Sequence, residues 1–94
     1  MKKAKSTHLY ILSSGDKLKI GVTNNIEKRM KTLKTGNPEG LKLEFLEERT
    51  NPHKAEQYVL TMLSKYRIKG TEWFKGTDVH TIRCHLMMFH DQEP

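Results

Sequence analysis

Between His8 and Val22 the chain alternates apolar and other residues with a period of two, and "HLYIL" and "KLKIGV" flank "SSGD". That pattern around a glycine-containing turn predicts a β-hairpin. Its parity carries information. With Ser14-Gly15 as the loop, Tyr10 lies opposite Lys19; with Gly15-Asp16 as the loop, Tyr10 lies opposite Gly21 and diagonal to Lys19. Either even loop puts His8, Tyr10 and Leu12 on the face of Lys17, Lys19 and Gly21. Leu9, Ile11, Leu18, Ile20 and Val22 then share the other face, the expected core. An odd loop would mix the two sets.

The period then changes. In "TNNIEKRMKTLKTGNP", Ile26, Met30 and Leu33 fall on one helical stripe, Thr23, Asn24 or Asn25 can cap the start, and Gly36 can close the end. Arg29 lies at the edge of that stripe, where an arginine either snorkels outward or meets an anion. Lys28, Lys31 and Lys34 lie farther round. "GLKLEFLEERT" alternates Leu41, Leu43 and Phe45 with polar residues and predicts a third strand. "NPHKAEQYVLTMLSKYR" predicts a helix capped at Asn51 with Pro52 in its first position. Its stripe is Ala55, Val59, Met62 and Tyr66, with Leu60 and Leu63 on one shoulder. Glu56 falls on that shoulder too, and a carboxylate there needs a partner. "KGTEWFKG" reads as a turn with an aromatic pair, Trp73 and Phe74 serving as core anchors. Val79, Ile82, Leu86 and Phe89 predict a closing helix, with Met87-Met88-Phe89 as packing surface. The expected fold is α/β (α+β): a small three-stranded antiparallel sheet flanked by helices, in the order ββαβα plus a C-terminal helix.

Composition narrows the class. Ninety-four residues suit a single domain, here 7–94 behind a basic arm at 1–6. With 35% hydrophobic and 30% charged residues the chain is globular rather than disordered. No apolar run is long enough to cross a membrane, and the basic N-terminus lacks a signal-peptide core, so a cytoplasmic location and no membrane partner are expected. A lone cysteine, Cys84, excludes an intrachain disulfide. His80 and Cys84 are one helical turn apart, but no further ligand pair is spaced for zinc. The net charge of +6 favours a polyanion such as DNA.

Tyr10, Lys19, Arg29 and Glu56 together offer an acid–base group, two cations and a carboxylate, drawn from one hairpin face and two helix edges. Each alone has an ordinary structural explanation; as a set they suit phosphodiester hydrolysis. His8 shares the Tyr10 face and could touch substrate. These residues resemble those of the GIY-YIG nuclease superfamily, and more narrowly its phage-associated branch with "KIG" as the second tripeptide. The matching segments are "HLYIL", "KIGVT", "NNIEKRMKTLKTGNP", "KAEQYVL" and "GTEWFK", from about His8 to Lys75.

The resemblance implies a role for each residue. Tyr10 would be the general base, and Arg29 would contact phosphate. Glu56 would hold one divalent metal, Mg²⁺ or Mn²⁺. Gly21 would stand where backbone packs closely. Lys19 occupies the place of the second tripeptide's tyrosine, and His8-Leu9-Tyr10 replaces Gly-Ile-Tyr. The implied activity is that of a metal-dependent DNA endonuclease, nicking as a monomer, with His8, Gly21, Lys28 and Lys31 on the substrate side. Site preference would come from this domain, a homodimer or a protein partner. The alternative is a non-catalytic DNA-binding or regulatory module with the same fold.

Overall fold

The computed structural model describes residues 7–35 and 40–89. The expected basic arm and the helix-closing Gly36 lie outside the described residues. The elements are β1 (His8–Ser14), β2 (Lys17–Thr23), α1 (Ile26–Lys34), β3 (Lys42–Glu48), α2 (Pro52–Met62), a 3₁₀ turn (Ser64–Tyr66), β4 (Phe74–Lys75) and α3 (Val79–Met88). No helix among the described residues is long and apolar enough to cross a membrane.

The hairpin takes the second of the two even loops. Tyr10 pairs with Gly21, Leu12 with Lys19 and Ser14 with Lys17, so Gly15-Asp16 forms the turn. Gly15 has φ of 63°, a conformation that two-residue hairpin turns require and glycine adopts freely. The predicted aliphatic face is the core. Leu9, Ile11, Leu18 and Ile20 pack with Ala55, Val59 and Leu63, with Phe74, and with Ile82 and Leu86 of α3. Val22 is only half-buried.

The sheet has four strands rather than three, in the order β3-β1-β2-β4, and all its pairings are antiparallel. The fourth is two residues long; it pairs with β2 at Lys17–Lys75 and Leu18–Phe74, and its Phe74 also bridges Arg67. So short a strand has no periodicity to read, and its sequence resembles a turn. Strand β3 also departs from simple alternation. The partner of Ile11 is Phe45 and that of Leu12 is Leu43, so Glu44 is an extra residue at a bulge. One inserted residue flips the side chains beyond it to the other face. Leu43 therefore lies opposite Leu12 and does not share the core face with Phe45.

Helix α1 is capped as expected: Asn25 Oδ1 accepts from Lys28 N at 3.1 Å. Its stripe of Ile26, Met30 and Leu33 is half-buried, and no residue of α1 is fully buried. Helix α2 begins with Pro52 at its first turn and buries Pro52, Ala55 and Val59. Steps of three or four residues continue that line to Leu63, which is buried. Met62 ends the helix and is exposed, and Tyr66 lies half-buried in the 3₁₀ turn, so the predicted stripe was misplaced at its C-terminal end. Helix α3 is capped by Asp78, whose Oδ1 accepts from Thr81 N at 2.7 Å. Phe89 packs on Tyr58, but Met87 and Met88 are exposed rather than packed.

Candidate active site

The hairpin's second face is as buried as its first. Tyr10 is 1% exposed and Lys19 4% exposed, with Leu12 between strands beside them. Gly21 explains how the tyrosine fits. A Cβ placed on Gly21 would lie 2.5 Å from Tyr10 Cζ and closer still to Oη. The phenol thus lies across the backbone of β2, and only glycine leaves room for it. Arg29, on the second turn of α1, reaches the ring's far end: its Nε donates to Tyr10 Oη at 3.1 Å. That hydrogen bond is the main reason the Arg29 pKa is raised, with burial opposing it and the charges of Tyr10 and Glu72 assisting. The guanidinium is held with one donor spent on the phenol.

Lys19 reaches the other way. Its Nζ donates to Glu72 Oε1 at 2.5 Å. An ammonium removed from water needs such a partner. Glu72 lies in the loop just before β4, and its own side chain is largely exposed. The hydrogen bond from Lys19 and that residue's charge hold its carboxyl below the ordinary range. Because β4 meets β2 only at Lys17 and Leu18, the edge of β2 beyond them is not covered by that strand. Beside it lies a hollow of about 190 Å³, lined by Ile20, Glu56, Gln57, Leu60, Arg67 and Glu72.

Glu56 enters this hollow from the first turns of α2. Its side chain is 19% exposed, and the nearest ion partner among the described residues is His53, at 4.0 Å. Burial pushes the Glu56 carboxyl up; His53 and then Lys19 pull it down, and Glu72 pushes it up again. So the four residues singled out in the sequence form two linked pieces. Tyr10 and Arg29 are joined by a hydrogen bond, while Lys19 is joined to Glu72 and acts on Glu56 through its charge.

The remaining candidates are more peripheral. His8 is half-buried at the start of β1, opposite Thr23, with Nδ1 2.9 Å from Thr7 Oγ1. Lys28 and Lys31 are exposed and line a polar hollow with Asn25 and Glu27; Lys28 also borders one that includes Arg29. Trp73 is half-buried beneath the Lys17 ammonium, 5.4 Å from its ring centre, and Phe74 is in the core. His80 Nε2 and Cys84 Sγ are 3.5 Å apart on α3.

Residues 7–86 match the T5orf172 domain. The chain belongs to the T5orf172 domain family. No curated protein and no solved structure matches it. The matched span of this T5orf172 domain covers Tyr10, Lys19, Gly21, Arg29, Glu56 and Glu72. Sequence reasoning missed Glu72, although "GTEWFK" contains it. The available signal was Lys19: a lysine on a buried strand face implies an acid nearby, but 53 residues separate the two and no spacing rule links them.

The donor set of this T5orf172 domain fits a hard divalent cation in one specific way. No group of three or more His, Cys, Asp or Glu could cage a metal among the described residues. Glu56, however, presents a carboxylate without a hydrogen bond among the described residues to a hollow that Gln57 and Glu72 also line. Mg²⁺ commonly binds one or two carboxylates and keeps several waters, completing its shell with substrate phosphate. Glu56 is the residue that would hold it.

Proposed function

We propose that this T5orf172 domain is a metal-dependent DNA endonuclease of GIY-YIG type that hydrolyses phosphodiester bonds. One observation carries the reading. The Tyr10–Arg29 hydrogen bond and the buried Lys19 ammonium lie on one hairpin face, with the Glu56 carboxylate nearby and without a hydrogen bond among the described residues. In this reading Tyr10, which accepts from Arg29, takes the proton of the attacking water, and Arg29 stabilises the phenolate that results. The remaining guanidinium donors of Arg29 bind the phosphate, where charge grows in the transition state. Lys19 adds positive charge beside the tyrosine. Glu56 would hold Mg²⁺ or Mn²⁺, which when bound polarises a phosphate oxygen and neutralises its charge. His8, Lys28 and Lys31 would contact flanking phosphates, giving salt-dependent affinity.

One chain carries one such site, so a monomer nicks and a symmetric dimer could break both strands. The test is a supercoiled plasmid incubated with purified protein. Open-circle product with Mg²⁺, and none with EDTA or with Glu56→Ala, is the expected result. Full cleavage by Glu56→Ala or Tyr10→Phe would sink the assignment.

A second reading is a DNA-binding or regulatory module without turnover. The burial of Tyr10 and Lys19 favours it, because both groups are held away from bulk water. It predicts salt-sensitive DNA binding that persists in EDTA, with no cleavage.

A further inference from the structure

Two carboxylates border one hollow beside one buried ammonium, and they are treated differently. Glu72 has the ammonium, at 2.5 Å; Glu56 does not, although it is the more buried of the two. By burial alone the ion pair would form with Glu56, since a shielded carboxylate gains more from a cation than an exposed one does.

The loop that carries Glu72 accounts for the difference. Ile68 N donates to Trp73 O at 2.8 Å, Thr71 N donates to Ile68 O at 3.0 Å, and Trp73 N donates to Thr71 Oγ1 at 3.0 Å. Arg67 Nε donates to Thr71 O at 2.8 Å. Immediately after it, Phe74 is buried and paired with Leu18. Glu72 is therefore fixed on both sides, one residue from the core, and its carboxylate is delivered to Lys19 by the fold.

We propose that Glu72 is a positioning residue: by holding the Lys19 ammonium it keeps that cation off Glu56 and leaves the Glu56 carboxylate free for a divalent metal. The inference rests on the endonuclease reading above and adds to it a residue that touches neither substrate nor metal. Without Glu72, the carboxylate left on the same hollow is Glu56, which already feels the Lys19 charge. The ammonium and the metal would then compete for the same oxygens, and metal binding would weaken. Supporting residues of this kind typically change metal affinity by roughly 10- to 100-fold.

The test is a double-mutant cycle on the full chain, with Mn²⁺ as the probe and free Mn²⁺ read by electron paramagnetic resonance. Glu72→Gln should weaken Mn²⁺ binding by roughly 10-fold or more. Adding Lys19→Met to Glu72→Gln should restore it, because the competing ammonium is gone. Unchanged affinity in Glu72→Gln overturns the proposal. So does failure of the double variant to recover, which would make Glu72 a metal ligand in its own right. A metal-free arm separates this from the endonuclease reading: the structure of Glu72→Gln should show Lys19 Nζ hydrogen-bonded to Glu56, and an ammonium that stays off Glu56 overturns the proposal. If the wild-type chain binds no Mn²⁺ while the ammonium still transfers, the metal role of Glu56 fails and the positioning of Lys19 by Glu72 stands.

Discussion

The two faces of the β1–β2 hairpin are about equally hidden from water, and they are hidden for different reasons. On one face Leu9, Ile11, Leu18 and Ile20 meet α2, α3 and Phe74. Burial there is its own explanation, since each large aliphatic side chain removed from water stabilises the fold by about 1.5–3 kcal/mol. On the other face the same two strands bury a phenol and an ammonium, Tyr10 and Lys19. Those groups lose hydration, and their partners Arg29 and Glu72 restore it only in part. An apolar residue of similar volume in place of Lys19 should give a domain at least as stable. In the proposed endonuclease reading, the second face is the one retained for chemistry.

Substitutions on the two faces should therefore separate stability from activity. The largest effect on folding is expected from Ile11→Ala, which opens a cavity in the core and should cost about 2–5 kcal/mol in urea unfolding. Tyr10→Phe, one residue away, keeps the ring and should cost on the order of 1 kcal/mol. Nicking should nevertheless fall by about 10²-fold or more in Tyr10→Phe if the phenol moves a proton. Equal loss of stability in both variants would break the distinction between the faces.

Gly21→Ala is the next sharpest probe, because its methyl would collide with the Tyr10 ring rather than with a flexible chain end. Overpacking of this kind costs about 1–3 kcal/mol. The ring must move, so its hydrogen bond to Arg29 should be lost and nicking with it. A variant that is destabilised yet nicks at the wild-type rate would show that the Tyr10–Arg29 geometry is irrelevant.

The smallest effect distinguishes the two carboxylates. Glu56 has a raised folded-state pKa, so its ionised form opposes folding at neutral pH and the penalty fades as pH falls through the raised value. Glu72 has a lowered one, so its contribution is full above the ordinary carboxylate pKa and is lost as pH falls through the lowered value. In metal-free buffer at pH 7, Glu56→Gln should be slightly more stable than wild type and Glu72→Gln slightly less. Both differences should shrink on acidification. Thermal melts from pH 3 to 7 would check this, and differences of the same sign would contradict it.

Much of this contrast was legible in the sequence. Alternation fixed both faces of the hairpin, because a period of two leaves only even loops. The choice between those loops needed the register, which makes Gly21 the partner of Tyr10. Asn25 and Pro52 marked helix starts through chemistry local to each, whereas the Asp78 cap of α3 emerged only in the structure. What the sequence hid was non-local or very short. The extra residue at Glu44 breaks the alternation of β3, and β4 is too short to have a period. The Lys19–Glu72 pair joins a strand to a distant loop, and nothing in either segment names the other.

Lys19→Met tests the central claim most directly, with nicking and unfolding measured on the same preparation. Methionine fills a similar volume without a charge, and the carboxylate it leaves behind, Glu72, is largely exposed and can be solvated. The account predicts a domain at least as stable as wild type that no longer nicks plasmid in Mg²⁺. A Lys19→Met variant that nicks at the wild-type rate, or one that loses activity only because it unfolds, would contradict it.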